Sequence, residues 1–206
     1  MATKSTDALL VQAALPADDA AILPDLICDL HRALPGSAVQ VHAAFNDVQG
    51  LFYAYLHLSE RQHFEPSVAA SIQATLNHGW PQLQNLRVSR LEKMLDKQGA
   101  SANTLPAFHY VVEMDPEAGW MTELSDWYDT EHLPGLASVP GCVSASRYLN
   151  HDHGPLSLAC YDLVTPETLG SPPWLAVRGT EWSSRMRPRF TNTVRTMFDL
   201  INAAEK

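Results

Sequence analysis

Most of the features that announce a function are missing from this sequence. Only three of its 206 residues are cysteine, Cys28, Cys142 and Cys160. The number is odd and no two form a CxxC pair, which argues against a disulfide framework and against a cysteine-held zinc site. They read as buried small hydrophobes in a reduced compartment. Positive charge is also scarce: 14 Lys and Arg stand against 23 Asp and Glu, for a net charge of −9. A nucleic-acid binder held by phosphate contacts needs a basic face, and an anionic membrane repels such a chain. No apolar run approaches the length of about 18 residues that a spanning helix needs, and Met1-Ala-Thr-Lys-Ser-Thr-Asp7 has no apolar stretch. No secretory signal or transmembrane helix is expected, and a cytoplasmic location follows by default. GxGxxG, P-loop, GxSxG and HExxH segments are all absent, which leaves nucleotide binding and hydrolase-elbow chemistry without support.

What the chain does have is apolar bulk. Hydrophobic residues make up 46% and charged residues 18%, enough for a packed core. Ala8 to Leu15 reads as a strand ended by Pro16. A helix opens at Asp18-Asp19, with Pro24 as a kink or the true start, and stops at Pro35-Gly36. Ala38 to Phe45 and Leu51 to Leu58 read as a hairpin around the turn Asn46–Gly50. Glu65-Pro66 opens a second helix, and Arg87 to Leu95 is a last strand or short helix. The polar stretch from Asp96 to Pro106 reads as a linker.

The order then repeats. Ala107 to Met114 is a strand, Glu117 to His132 a helix, Cys142 to Leu149 and Leu156 to Leu163 a hairpin, Thr165 to Met186 largely helical, and Thr193 to Ile201 the last strand. A shift of 105 positions lays Pro35-Gly36 on Pro140-Gly141, Asp47 on Asp152, Leu51 on Leu156, Ala54 on Ala159 and Leu58 on Leu163, six identities in 24 positions. Each β-α-β-β-α-β set is the ferredoxin-like arrangement, an α+β fold whose helices share one sheet face. Two such repeats can bury their bare faces against each other and close a barrel. The expected architecture is an intramolecular pseudo-dimeric α/β barrel: a repeat over 1–97, a linker over 98–106 and a second repeat over 107–206.

The stretch from Ser125 to Gly141 is the most informative. Leu124, Trp127, Tyr128 and Glu131 share one helix face, and Tyr128 and His132 are i, i+4 neighbours. Pro134 has no N–H, and its ring opposes the carbonyl of Thr130, so the helix is expected to end near His132. That would leave the imidazole among unpaired carbonyls that favour its charged form. Two readings stand: a proton-transfer group, or a helix cap that stabilises the dipole without chemistry.

With this order and Trp127-Tyr-Asp-Thr-Glu-His-Leu-Pro134 in view, residues 107–201 resemble the EthD-like branch of the dimeric α/β-barrel superfamily. The carriers are Trp127, Glu131, His132, Pro134, Pro140-Gly141 and Arg147-Tyr148. The resemblance implies isomerase-, cyclase- or metal- and flavin-free monooxygenase-like chemistry, with His132 as the acid/base or ligand-orienting group. The first repeat departs from it, with Ile27 opposite His132 and His31 four residues before Pro35.

The expected function is a cofactor-independent isomerase, cyclase or lyase of small apolar carbonyl, lactone or aromatic compounds. His132 would be the acid/base, Tyr128 a hydrogen-bond donor, and Glu131 would orient the site or raise the basicity of His132. His109 and Glu113 share a strand face and are candidates for a polar pocket floor beside His132, or for a wet rim. Arg147 could hold a substrate carboxylate or pair with an acid. Trp127 is the aromatic candidate for ligand contact, with core packing as its other reading. Arg178, Arg185, Arg187, Arg189 and Arg195 read as a solvated face rather than an anion site. His151-Asp-His153 lacks a third spaced ligand, so no metal is expected. The alternative function is a binding protein for an apolar ligand or haem, and a third is an interaction module with a filled core. The expected partner is a small molecule, with homodimerisation of the whole chain as an addition.

Overall fold

Eight strands and six α-helices form among the described residues, 3–34 and 39–201 of a computed structural model. The expected Pro35-Gly36 stop and Ala38 lie outside the described residues. The chain divides into two compact units: Met1–Glu92 with Asn150–His153 and Asp199–Lys206, and Lys93–Leu149 with Gly154–Phe198.

In unit 1, β1 (Lys4–Ala14), α1 (Leu23–Leu30), β2 (Val39–Asn46), β3 (Leu51–Phe64), α2 (Pro66–Gly79) and β4 (Gln84–Gln98, of which the part up to Glu92 lies here) follow in order. The strands lie side by side as β2-β3-β1-β4, each neighbouring pair antiparallel. Strand alternation sends Leu9, Val11, Ala43, Phe45, Ala54, Leu56 and Val88 into one apolar cluster. The buried stripe of α1, Leu23, Leu26, Ile27 and Leu30, closes on it at helical spacing. Pro24 sits in the first turn of α1, where a missing N–H breaks no helical bond, so the α-helix proper begins there after a 3₁₀ turn over Ala17–Ile22. Cys28 points outward from α1 and is exposed, contrary to the expectation of three buried cysteines. His151-Asp-His153 is structural. Asp152 accepts from Nη2 of Arg90 at 2.7 Å, from its Nε at 2.9 Å and from its backbone N–H at 2.7 Å. His151 Nε2 lies 3.1 Å from Glu92.

Unit 2 holds the remainder of β4 and then β5 (Phe108–Pro116), α3 (Met121–Trp127), α4 (Leu133–Ala137), β6 (Cys142–Asn150), β7 (Ser157–Leu163), α5 (Pro172–Arg178), α6 (Glu181–Met186) and most of β8 (Phe190–Leu200). Its strands order as β8-β5-β7-β6. The polar stretch read as a linker begins within β4 and then connects β4 to β5. β4 continues to Gln98, and the turn after it docks on unit 2. Gly99 donates to the Val143 carbonyl at 2.9 Å and Ala100 to that of Ala137 at 2.8 Å. A Cβ on Gly99 would run into the Cys142 carbonyl, so the close approach requires glycine.

The helix carrying His132 does not end there. One π-helical turn, Tyr128–His132, joins α3 to α4. The Leu133 N–H reaches back to the Tyr128 carbonyl, five residues away. Widening the ladder by one residue is a way to pass a proline, since Pro134 then starts the next α-helical turn with no N–H to satisfy. Pro134 thus perturbs the helix at the expected position, by widening one turn rather than by ending it.

Candidate functional site

Alternation on the strands of unit 2 decides which side chains meet the helices. Tyr110 and Met114 of β5, Ala145 of β6, and Ala159 and Tyr161 of β7 share a cluster with Leu124, Trp127, Tyr128, Leu133 and Leu136. Arg147, two residues beyond Ala145, faces the same side. Its guanidinium lies 5.2 Å from the centre of the Tyr128 ring. It donates to Ser125 at 3.1 Å and to Asp129 at 3.4 Å, and its Nε has no hydrogen-bond partner. Arg147 is fully buried and ties the helix to the sheet, the structural of its two readings.

Between these helices and the sheet lies a cavity of about 30 Å³, lined by His132 and Tyr128 of the π turn, Tyr110, Tyr161, Trp174, Leu136, Val112, and three arginines, Arg178, Arg187 and Arg195. That volume accommodates about two waters, or a group of similar size. The rings form a connected wall. His132 stacks on Trp127 with centroids 4.0 Å apart and planes 20° apart, and it meets the Tyr128 ring edge-on at 5.5 Å. Tyr161 meets Trp174 edge-on at 5.3 Å. Trp127 thus packs on the imidazole and does not line the cavity. Its Nε1, the Nε1 of Trp174 and the Nδ1 of His132 are buried without hydrogen-bond partners among the described residues.

The electrostatics follow from burial. His132 is 8% exposed. Burial first, and then the charges of Arg178 and Arg187, push its pKa down to about 3. The expected charged imidazolium at a helix end is replaced by a neutral ring, because the helix runs on and the carbonyls that would have favoured the cation are engaged. Burial raises the pKa of Tyr128, Tyr161 and Tyr110, so all three remain phenols able to donate. Arg187 is held below its ordinary value by burial and then by repulsion from Arg178 and Arg195.

The five arginines expected to form one solvated face divide. Arg185 pairs with Glu123 at 2.6 Å and Arg189 with Glu117 at 2.9 Å. Arg178, Arg187 and Arg195 converge on the cavity, and none of them pairs with a carboxylate among the described residues. They come from α5, from the turn after α6 and from β8, so packing rather than spacing separates them from Arg185 and Arg189. Tyr110 and Tyr161 were not singled out by sequence.

Glu131 does not hydrogen-bond His132. Its Oε1 accepts from the Thr180 hydroxyl at 2.7 Å, and Thr180 in turn caps α6 by accepting from the Ser183 N–H. His109 and Glu113 are buried, but alternation places them on the sheet face away from the helices, so they cannot form a floor beside His132. There Asp162, facing His109 in the β5–β7 ladder, contacts the His109 Nδ1 at 2.7 Å and accepts from the Ser144 hydroxyl at 2.9 Å.

No family model matches this sequence, and no match is found among curated proteins. Solved structures do resemble it. A candidate monooxygenase from Fusobacterium nucleatum superposes with a TM-score of 0.65 at 8% identity, over 95% of this chain and 92% of that one. A candidate monooxygenase from Lactobacillus acidophilus gives 0.60 at 13% identity, over 96% and 94%. A mutant chlorite dismutase from Candidatus Nitrospira defluvii gives 0.61 at 12% identity, over 97% and 93%. No helix among the described residues is long and apolar enough to cross a membrane. At these identities the likeness speaks for the fold alone, and the fold is the α+β, ferredoxin-like fold of dimeric α/β-barrel proteins.

Proposed function

We propose that the helix–sheet cavity of unit 2 is a small-molecule site that moves a proton on a carbonyl compound without a cofactor, as in an isomerase, cyclase or lyase. The observation that carries this reading is a buried, neutral His132 beside three arginines that lack counter-ions among the described residues. A neutral imidazole can donate an N–H bond to a carbonyl oxygen or accept a proton from the adjacent carbon. Burial opposes a lone imidazolium. Proton transfer from substrate carbon to His132, however, creates an enolate and an imidazolium together, each beside its opposite charge. Return of the proton to another carbon completes an isomerisation and regenerates the ring. The guanidinium groups stabilise the negative charge as it develops, and Tyr128, held as a phenol, is a further donor. Trp127 fixes the imidazole plane, and Glu131 acts through Thr180 as a positioning residue. The neighbours named as candidate monooxygenases and chlorite dismutase support small-molecule chemistry on this fold.

The aromatic-x-x-x-Glu-His-x-Pro segment supports an EthD-like origin for unit 2, and the shared strand order of the two units supports a tandem duplication. Haem does not fit at His132: the ring is buried, and the cavity of about 30 Å³ beside it has no room for a porphyrin.

The test is deuterium exchange from D₂O into the carbon-bound protons of a panel of keto acids, lactones and cyclic enones. The protein should accelerate exchange for part of the panel, and His132→Ala should lose about 10²- to 10⁴-fold of that acceleration. Equal rates in buffer and protein across the panel, or an undiminished His132→Ala, would remove the reading.

A further inference from the structure

We infer that the guanidinium groups of Arg178, Arg187 and Arg195 form the receptor for an anionic headgroup of carboxylate size, so that the compounds taken by this site are carboxylates. This deepens the reading above and rests on it. Three cations from separate elements border one cavity, although each is repelled by its neighbours. The chain as a whole is acidic, at −9, yet no carboxylate among the described residues neutralises these three. Arg185 and Arg189, from the same stretch, do find partners in Glu123 and Glu117. Uncompensated convergence is therefore particular to the cavity.

The size of the cavity selects the headgroup. About 30 Å³ admits about two waters, matching the two oxygens of a carboxylate, whereas a tetrahedral phosphate brings four oxygens and an aromatic ring is larger still. The carbon next to the headgroup would lie at His132, and the rest of the ligand would extend outward past the exposed Arg187 and Arg195. Planar guanidinium groups suit a carboxylate because two parallel N–H bonds match its two oxygens. Tyr128 and Tyr161 add phenol donors rather than phenolates, so the inner wall does not repel an anion. The groups facing His132 from the packed elements are these phenols, Trp127, Trp174 and the three arginines. An anion among the guanidinium groups would cancel their repulsion of the imidazolium and leave only the burial penalty.

The experiment is an NMR titration of the His132 ring signals in the full chain with benzoate, with the equally sized neutral benzamide, and with inorganic phosphate. Benzoate should saturate and should raise the proton affinity of His132. Benzamide and phosphate should bind at least about tenfold more weakly, as expected when charge-assisted bonds are lost or do not fit. Arg178→Gln and Arg187→Gln should each weaken benzoate about tenfold and leave benzamide unchanged, whereas Arg185→Gln should change neither. If benzamide moves His132 as readily as benzoate, the site remains and the carboxylate inference falls. Phosphate binding as tightly as benzoate would overturn the choice of headgroup. If no probe moves His132 at any concentration, both this inference and the site itself are wrong.

Discussion

The two units pair their strands in the same way and fill the same positions with opposite chemistry. In unit 1, Leu9 faces Leu56, and Ala43 faces Ala54. In unit 2, Tyr110 faces Tyr161, and Arg147 faces Ala159, at the corresponding rungs. The helix over unit 1 is a plain apolar stripe, and the helix over unit 2 brings Trp127, Tyr128 and His132. One backbone arrangement thus supports an oil-like helix–sheet interface and a polar one. The polar version carries costs that packing alone does not require, including a buried guanidinium and buried ring nitrogens without partners. These costs lie at the helix–sheet interface of unit 2, where the site is proposed; unit 1 also buries polar atoms without partners, in Gln82, Ser89 and Asn150.

The largest effect should come from the residue that makes the polar interface possible. Trp127→Ala removes a fully buried indole and should destabilise by roughly 3–5 kcal/mol in denaturant titrations. It should also let the His132 pKa rise. Leu26→Ala, in the apolar interface, should cost roughly 2–5 kcal/mol and leave His132 untouched. An equal response of His132 to both would erase the distinction.

Next in size is an acid limb that belongs to unit 2. The unfolded chain binds a proton at His132 near pH 6.5, while the folded chain resists it down to about 3. Because the unfolded state binds more protons in that window, this contribution is complete above about pH 6.5 and declines as pH falls toward 3. The slope should be up to about 1.4 kcal/mol per pH unit. His132→Gln should flatten that part of the stability profile, and His31→Gln, on the exposed side of unit 1, should not.

Arg147→Met converts the buried cation toward the apolar pattern of unit 1. Its only carboxylate contact among the described residues is a 3.4 Å one to the half-exposed Asp129, so the change should be neutral or stabilising by about 1 kcal/mol. A loss of several kcal/mol would show that the charge is needed for folding. Smallest of all, Arg185→Ala should leave the thermal midpoint and ligand response unchanged, because its pair with Glu123 is exposed.

Much of this architecture can be read from residue order. Turn residues and alternation place seven of the eight strands and leave β4 open between strand and short helix, and the offset of 105 keeps β3 and β7 in step. In β2 and β6 the offset becomes 104: Ala43 and Arg147 hold the same rung because the second hairpin turn is one residue longer. Alternation also shows that His109 and Glu113 share a face but not which one, since that depends on whether their neighbours Tyr110 and Met114 meet the helices. Pro134 was legible as an obstacle, whereas the π turn that bypasses it was not. The arginines were visible as a concentration of charge, but which three of the five share a cavity emerges only once α5, the turn after α6 and β8 are packed.

The most direct test of the account is the pKa of His132 in the unliganded protein, followed through its ring signals with His132→Gln to assign the peak. The account predicts a ring still neutral at pH 5, titrating near 3 or only as the protein unfolds in acid. Titration near 6.5 in the folded protein would contradict it, because the imidazole would then be neither desolvated nor under the field of Arg178 and Arg187.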